Sequence, residues 1–139
     1  MNNVNLQIYS FGFDCGLSFL DKIRKAGELG YAGVELVRDY EGIPAQDVVN
    51  ALKEAGIPAV SAHVGLDFIE QDLPYLAELG VKYVACPMAA FNTAEEAKEL
   101  AADLNRLWAS WPRSTASPLA TTTTQASSTW TRASTCWTG

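Results

Sequence analysis

The stretch "AGELGYAGVELV" (26–37) runs from the last turn of an amphipathic helix, through a glycine suited to a left-handed stop, into a short apolar run that reads as a buried strand. The same pattern returns in "LKEAGIPAVSAH" (52–63) and "LAELGVKYVACP" (76–87). Gly30, Gly56 and Gly80 mark the three joints, and their spacings of 26 and 24 residues fit one strand plus one helix. Alternation at that period predicts right-handed crossovers and a parallel sheet.

Working outward from the joints, strand 1 is predicted over 6–10, followed by a helix over 17–29. Strand 2 falls at Gly33–Val37 with a helix over Ala45–Ala55, and strand 3 at Ala59–His63 with a helix over 68–79. Strand 4 covers 83–86. The last helix lies in "NTAEEAKELAADLNRL" (92–107), with Asn92 or Thr93 as N-cap and Glu95 and Glu96 in the first turn, where carboxylates suit the helix dipole. Four βα units suit either a small flavodoxin-like sheet or half of an eight-unit barrel.

A chain of 139 residues with 48% hydrophobic side chains is one domain's worth of sequence, with enough apolar surface for a core. No basic-then-apolar leader and no run of roughly 20 apolar residues is found, so the expectation is a cytoplasmic protein with no membrane partner. Cys15, Cys86 and Cys136 are odd in number and form no C-x-x-C, which suggests reduced structural thiols. A net charge of −6 without a basic stripe argues against a nucleic-acid partner. The charge is uneven. All 16 acidic and eight of the ten basic residues lie within 1–107, whereas all four tryptophans (Trp108, Trp111, Trp130, Trp137) follow. Two segments result: a (βα)4 unit over 1–107 and an irregular Ser/Thr/Trp-rich tail over 108–139.

In both candidate folds, ligands meet the C-terminal ends of the strands. Those ends offer Tyr9 and Ser10, then Glu35, then His63, then Cys86, Pro87 and Met88. "SFGFDCG" (10–16) lacks the spacing of a phosphate-binding glycine loop, and the ends lack the clustered aspartates of a phospho-acceptor domain. His63 is the only histidine. A lone histidine beside an apolar strand is commonly a packed residue, but its place at a strand end points to a ligand-facing role. Glu35, between Val34 and Leu36, is costly unless it is paired or faces a cavity. Glu35, His63 and the weaker candidate Tyr9 are the expected substrate-binding residues. Cys15, Cys86 and Met88 read as core or rim, and no residue is assigned as catalytic.

"LGYAGVEL" (29–36), "SAHVGLD" (61–67) and "LGVKYVACP" (79–87) resemble the sugar phosphate isomerases/epimerases, which are xylose isomerase-like TIM barrels. The resemblance covers about residues 5–107 and implies an α/β fold: a parallel (βα)4 half, the N-terminal one, of such a barrel. It also implies metal-dependent isomerisation or epimerisation of a sugar or sugar phosphate. In that chemistry a divalent metal ion polarises a carbonyl and its neighbouring hydroxyl, while a carboxylate moves a proton through an enediolate. On this analogy Glu35 and His63 hydrogen-bond sugar hydroxyls. The family's metal ligands come mainly from later strands, many members carrying a "YHNH…EF" stretch at strand 5, so no metal ligand is assigned in this chain. The runner-up readings are a phosphodiesterase of the same barrel type acting at abasic DNA and a non-catalytic ligand-binding module.

"ATTTTQASSTWTRASTCWTG" (120–139) bears on that gap. Each Thr codon is ACN, and a frame offset to the preceding third base reads NAC, which encodes only Tyr, His, Asn or Asp. Offset decoding from Trp108 permits "AAEHGIAVGYHNH", a further helix–Gly–strand–His repeat that matches the strand-5 stretch. The expectation is a frameshift near residues 107–108, with the truncated chain inactive and two open sheet edges inviting self-association. The plain alternative is a flexible Ser/Thr-rich tail.

Overall fold

The computed structural model describes residues 4–12, 14–40, 42–87 and 91–109. The order of elements is β1 (Asn5–Gln7), a 3-10 turn (Ile8–Phe11), α1 (Phe19–Glu28), β2 (Gly33–Val37), α2 (Ala45–Ala55), β3 (Ala59–His63), α3 (Leu66–Glu78), β4 (Tyr83–Ala85) and α4 (Ala94–Ala109). The strands pair in the order β1-β2-β3-β4, every neighbour parallel. A flavodoxin-like sheet would place β1 inside, so the sequential order belongs to a barrel segment.

The three glycine joints behave as read, with φ of 82° at Gly30, 68° at Gly56 and 71° at Gly80. At the end of α2, the Gly56 N–H returns to the Leu52 and Lys53 carbonyls, a left-handed cap that a Cβ would strain. Thr93 caps α4: its Oγ1 accepts from Glu96 N at 3.2 Å, while the Glu96 carboxylate accepts from Thr93 N at 3.3 Å. β1 is shorter than predicted. Past Gln7 the backbone tightens into the 3-10 turn, closed by Gly12 N–H to Tyr9 O at 2.8 Å, which swings Ile8 fully into the core. α3 starts earlier than predicted, at Leu66 directly after Gly65. α4 runs to Ala109, past the compositional break, while Met88, Pro112 and the rest of the tail lie outside the described residues.

A β-bulge organises the sheet's two faces. Val34 pairs with Ala59, but the next residue, Glu35, pairs with Ser61, so one step along β2 matches two along β3. From there Gln7, Glu35, Ser61 and Tyr83 stand in one row across the sheet, with Val37, His63 and Ala85 in the next row on the same face. Opposite them Val34, Leu36, Ala62 and Val84, almost completely buried, join Ile23, Val48, Ile69 and Leu76 of α1, α2 and α3 in a single hydrophobic core. The sheet is therefore apolar towards its helices and polar on the face that a closed barrel turns inward.

α1 and α2 meet at Gly27, where a Cβ would lie 2.5 Å from the Ala55 carbonyl oxygen and 2.9 Å from its Cβ. Gly27→Ala is expected to destabilise the protein. Overpacking against backbone costs about 1–3 kcal/mol, which outweighs the gain of about 1 kcal/mol in helix propensity. A lower urea midpoint at unchanged m-value is the expected result, and a raised midpoint would show that the two helices can part freely.

β1 and β4 end the sheet among the described residues. α4 adds little to the core, with Leu107 buried and Leu104 only partly so. Unpaired strand edges recruit partners, and the 139-residue chain is expected to sediment as self-associated species whose proportion rises with concentration. A single monomer boundary across the range would contradict it. No helix among the described residues is long and apolar enough to cross a membrane.

Candidate functional site

Glu35 occupies the middle of β2 because "GVEL" alternates Val34 and Leu36 into the core and turns the carboxylate to the open face. The bulge brings Ser61 opposite it and His63 one row further on. Gln7, the last residue of β1, completes the group. The Gln7 Nε2 donates to Glu35 Oε1 at 2.7 Å and lies 3.1 Å from His63 Nδ1. Ser61 Oγ donates to Glu35 Oε2 at 2.6 Å, and His63 Nε2 is 3.2 Å from Glu35 Oε1. The Glu35 and His63 side chains retain 26% and 23% exposure, enough for a ligand to reach them. Both carboxylate oxygens are held by donors, which fixes the rotamer and meets the cost of placing a charge between apolar neighbours.

The structure thus brings Glu35 and His63 together, with His63 at the end of its strand and Glu35, expected at a strand end, in mid-strand. Tyr9 stands in the 3-10 turn two residues beyond Gln7 and is 53% exposed; it is Gln7 that β1 contributes to the hydrogen bonds above. Cys86 is buried in the core and Cys15 is exposed. Gln7 and Ser61 were missed in the sequence, although polar residues two apart in "NLQ" (5–7) and "SAH" (61–63) carry the signal of a polar sheet face.

A second polar group anchors the loop after β2. The buried Asp72 of α3 accepts from Arg38 Nε and from Tyr40 Oη, each at 2.8 Å. The Arg38 guanidinium lies 4.0 Å above the Phe68 ring, and Tyr40 stacks on Tyr75 with centroids 4.9 Å apart. Beside Arg38 in the chain, Asp39 pairs with the buried Lys22 at 3.8 Å. Burial, strengthened by the Asp72 carboxylate, drives the Tyr40 phenol well above its ordinary range. Burial and the charges of Glu78, Asp47 and Asp72 push Tyr75 up to about 12. Because the folded values exceed the unfolded one, the unfolded chain releases protons first. The stabilisation is complete below about pH 10 and is lost as pH rises beyond it. Tyrosinate absorbance from these two residues is expected to appear together with loss of near-ultraviolet circular dichroism, and ionisation of all tyrosines in a still-folded chain would contradict it.

A resident metal does not fit these residues. Glu35 and His63 offer two donor side chains, Glu35 already accepts from Gln7 and Ser61, and no group of three potential ligands occurs among the described residues.

The sequence matches no protein-family model and no curated protein. Among solved structures, the chain superposes on a sugar phosphate isomerase/epimerase from Parabacteroides distasonis with a TM-score of 0.63 and 20% identity, covering 77% of this chain and 47% of that one. It superposes on apo 3-keto-D-glucoside 4-epimerase from E. coli with a TM-score of 0.65 and 21% identity, covering 87% of this chain and 56% of that one. The fold is a (βα)4 half of a xylose isomerase-like TIM barrel. The chain spans about half the length of the structures it matches. In this half barrel Gln7 and His63 close their strands at the C-terminal side, where such barrels build their sites, with Glu35 and Ser61 in the row beneath His63.

Proposed function

We propose that this chain is the sugar-binding half, the N-terminal one, of a sugar isomerase or epimerase of the xylose isomerase-like class. The observation that carries the reading is the fixed Gln7–Glu35–Ser61–His63 group on the inward face of the half barrel. Its role is to position a sugar by its hydroxyls, with Tyr9 at the rim. In the complete enzyme a divalent metal supplies the polarisation of the carbonyl. Its ligands belong to later strands, since those present here do not suffice, and out-of-frame reading after residue 107 accounts for their absence from the sequence. A sugar or sugar phosphate is the partner, and the cytoplasm its compartment.

The test is a titration of the isotopically labelled chain with a panel of hexoses and hexose phosphates, following the side chains of Gln7, Ser61 and His63. Saturable shifts with at least one sugar are expected. A group that ignores every sugar but responds to a duplex bearing an abasic site would replace this reading with the phosphodiesterase one.

A further inference from the structure

The donors and acceptors of the Gln7–Glu35–Ser61–His63 group can be assigned one by one. Gln7 must turn its amide nitrogen, not its oxygen, towards Glu35, because two oxygens at 2.7 Å would repel. That same NH2 lies 3.1 Å from His63 Nδ1, and since it can only donate, Nδ1 must accept. The ring proton of the neutral imidazole is then on Nε2, 3.2 Å from Glu35 Oε1. Ser61, facing a carboxylate at 2.6 Å, donates its hydroxyl proton there. The Gln7 amide hydrogens and the Ser61 hydroxyl proton therefore point inward to other members of the group. What remains for a ligand is acceptor capacity: Gln7 Oε1, the lone pairs of Ser61 Oγ and those of Glu35.

An acceptor-rich surface built around a carboxylate selects its ligand by chemistry. It accepts hydrogen bonds from hydroxyls and repels a phosphate, which needs donors or cations. Among the described residues, Arg38, directly after β2, is engaged with Asp72, and Lys22 with Asp39. The two hydrogen bonds donated to the carboxylate by Gln7 and Ser61 also blunt its pull on a bare cation.

We infer that this group recognises adjacent hydroxyls of an uncharged sugar, with Gln7 as the positioning residue that holds His63 in its Nε2–H tautomer. The inference rests on the sugar-binding reading above and narrows its substrate class: a phosphoryl group, if the substrate has one, is bound elsewhere.

Two measurements test it. In the first, nitrogen-15 spectra of the free chain at neutral pH are expected to show His63 with a bare Nδ1 and a protonated Nε2, and Gln7→Leu is expected to mix the tautomers. A protonated Nδ1 in the parent chain overturns the assignment. In the second, D-glucose, D-glucose 6-phosphate, inorganic phosphate and magnesium chloride are compared by the shifts they cause at Gln7, Ser61 and His63. The two sugars are expected to act alike, with phosphate at least about tenfold weaker, equivalent to 1.4 kcal/mol of discrimination. Preference for glucose 6-phosphate, or saturation by phosphate or magnesium alone, overturns the inference while leaving the sugar-binding reading standing. No response to either sugar overturns the inference, and the sugar-binding reading falls with it only if the whole panel of hexoses and hexose phosphates also fails.

Discussion

Asp72→Ala is expected to remove about 3 kcal/mol of stability, the low end of what breaking a buried ion pair costs. Asp72 is 6% exposed and is the shared acceptor of Arg38 and Tyr40, at 2.8 Å each. Without it the Tyr40 hydroxyl, whose ring is buried between Phe19 and Tyr75, loses its acceptor, and the guanidinium loses its bond to that carboxylate. The Arg38 side chain keeps 18% exposure and its seat on Phe68, so water relieves part of the penalty, which places the estimate at the lower end. Set against a total of roughly 5–15 kcal/mol for a domain, the loss is large. Asp72→Asn, which retains an acceptor, should fall between parent and alanine variant in urea unfolding. An alanine variant within about 0.5 kcal/mol of the parent, the range of an ordinary surface change, would show that the network is solvated and does not anchor the loop.

The second large effect is on turnover and is expected to be all or none. Among the described residues the site contributes two donor side chains, Glu35 and His63, whereas a catalytic metal generally takes three protein ligands. Purified alone, the 139-residue chain is expected to show no metal-dependent isomerase or epimerase activity on any sugar or sugar phosphate. A gene with the frame restored near residue 107 and its downstream codons intact is expected to bind one divalent ion, gain that activity and lose it on chelation. Within that completed protein, Glu35→Gln or His63→Leu should lower kcat/KM by about 10- to 100-fold, the range for removing one hydrogen bond to a charged group. Two observations would overturn this account. One is turnover by the 139-residue chain, and the other is a nucleotide sequence whose offset reading of the threonine codons spells no Tyr-His-Asn-His.

The architecture was legible because it rests on local signals that tertiary structure does not override. Gly30, Gly56 and Gly80 stop helices through backbone conformation alone, and "GVELV" and "AVSAH" are too short and too apolar for anything but buried strands. β1 was overextended because Ile8 and Tyr9 have strand propensity, and only the core shows that a 3-10 turn buries Ile8 better. At the site, Glu35 announced itself as a charged residue within an apolar strand and His63 as a titratable one at a strand end. Gln7 and Ser61 did not, because their part depends on which residues face each other across strands. The Asp72 network was invisible for the same reason: its members lie 32 and 34 residues apart in sequence, and nothing in "QDLPY" (71–75) marks the aspartate as buried.

The bulge between Val34 and Glu35 makes the polar face sensitive to the length of β3 in a way that no change of side chain reproduces. Deleting Val60, the extra residue, would restore a one-to-one ladder in which Ser61 still faces Glu35 and His63 still faces Val37. Deleting Ala62 instead would bring His63 opposite Leu36, beneath the helices, and every later residue of the strand would exchange sides. A point substitution edits one member of this surface, but a single-codon deletion beyond the bulge turns its histidine away. Random short deletions through this gene should accordingly be tolerated far less at Ala62 than at Val60.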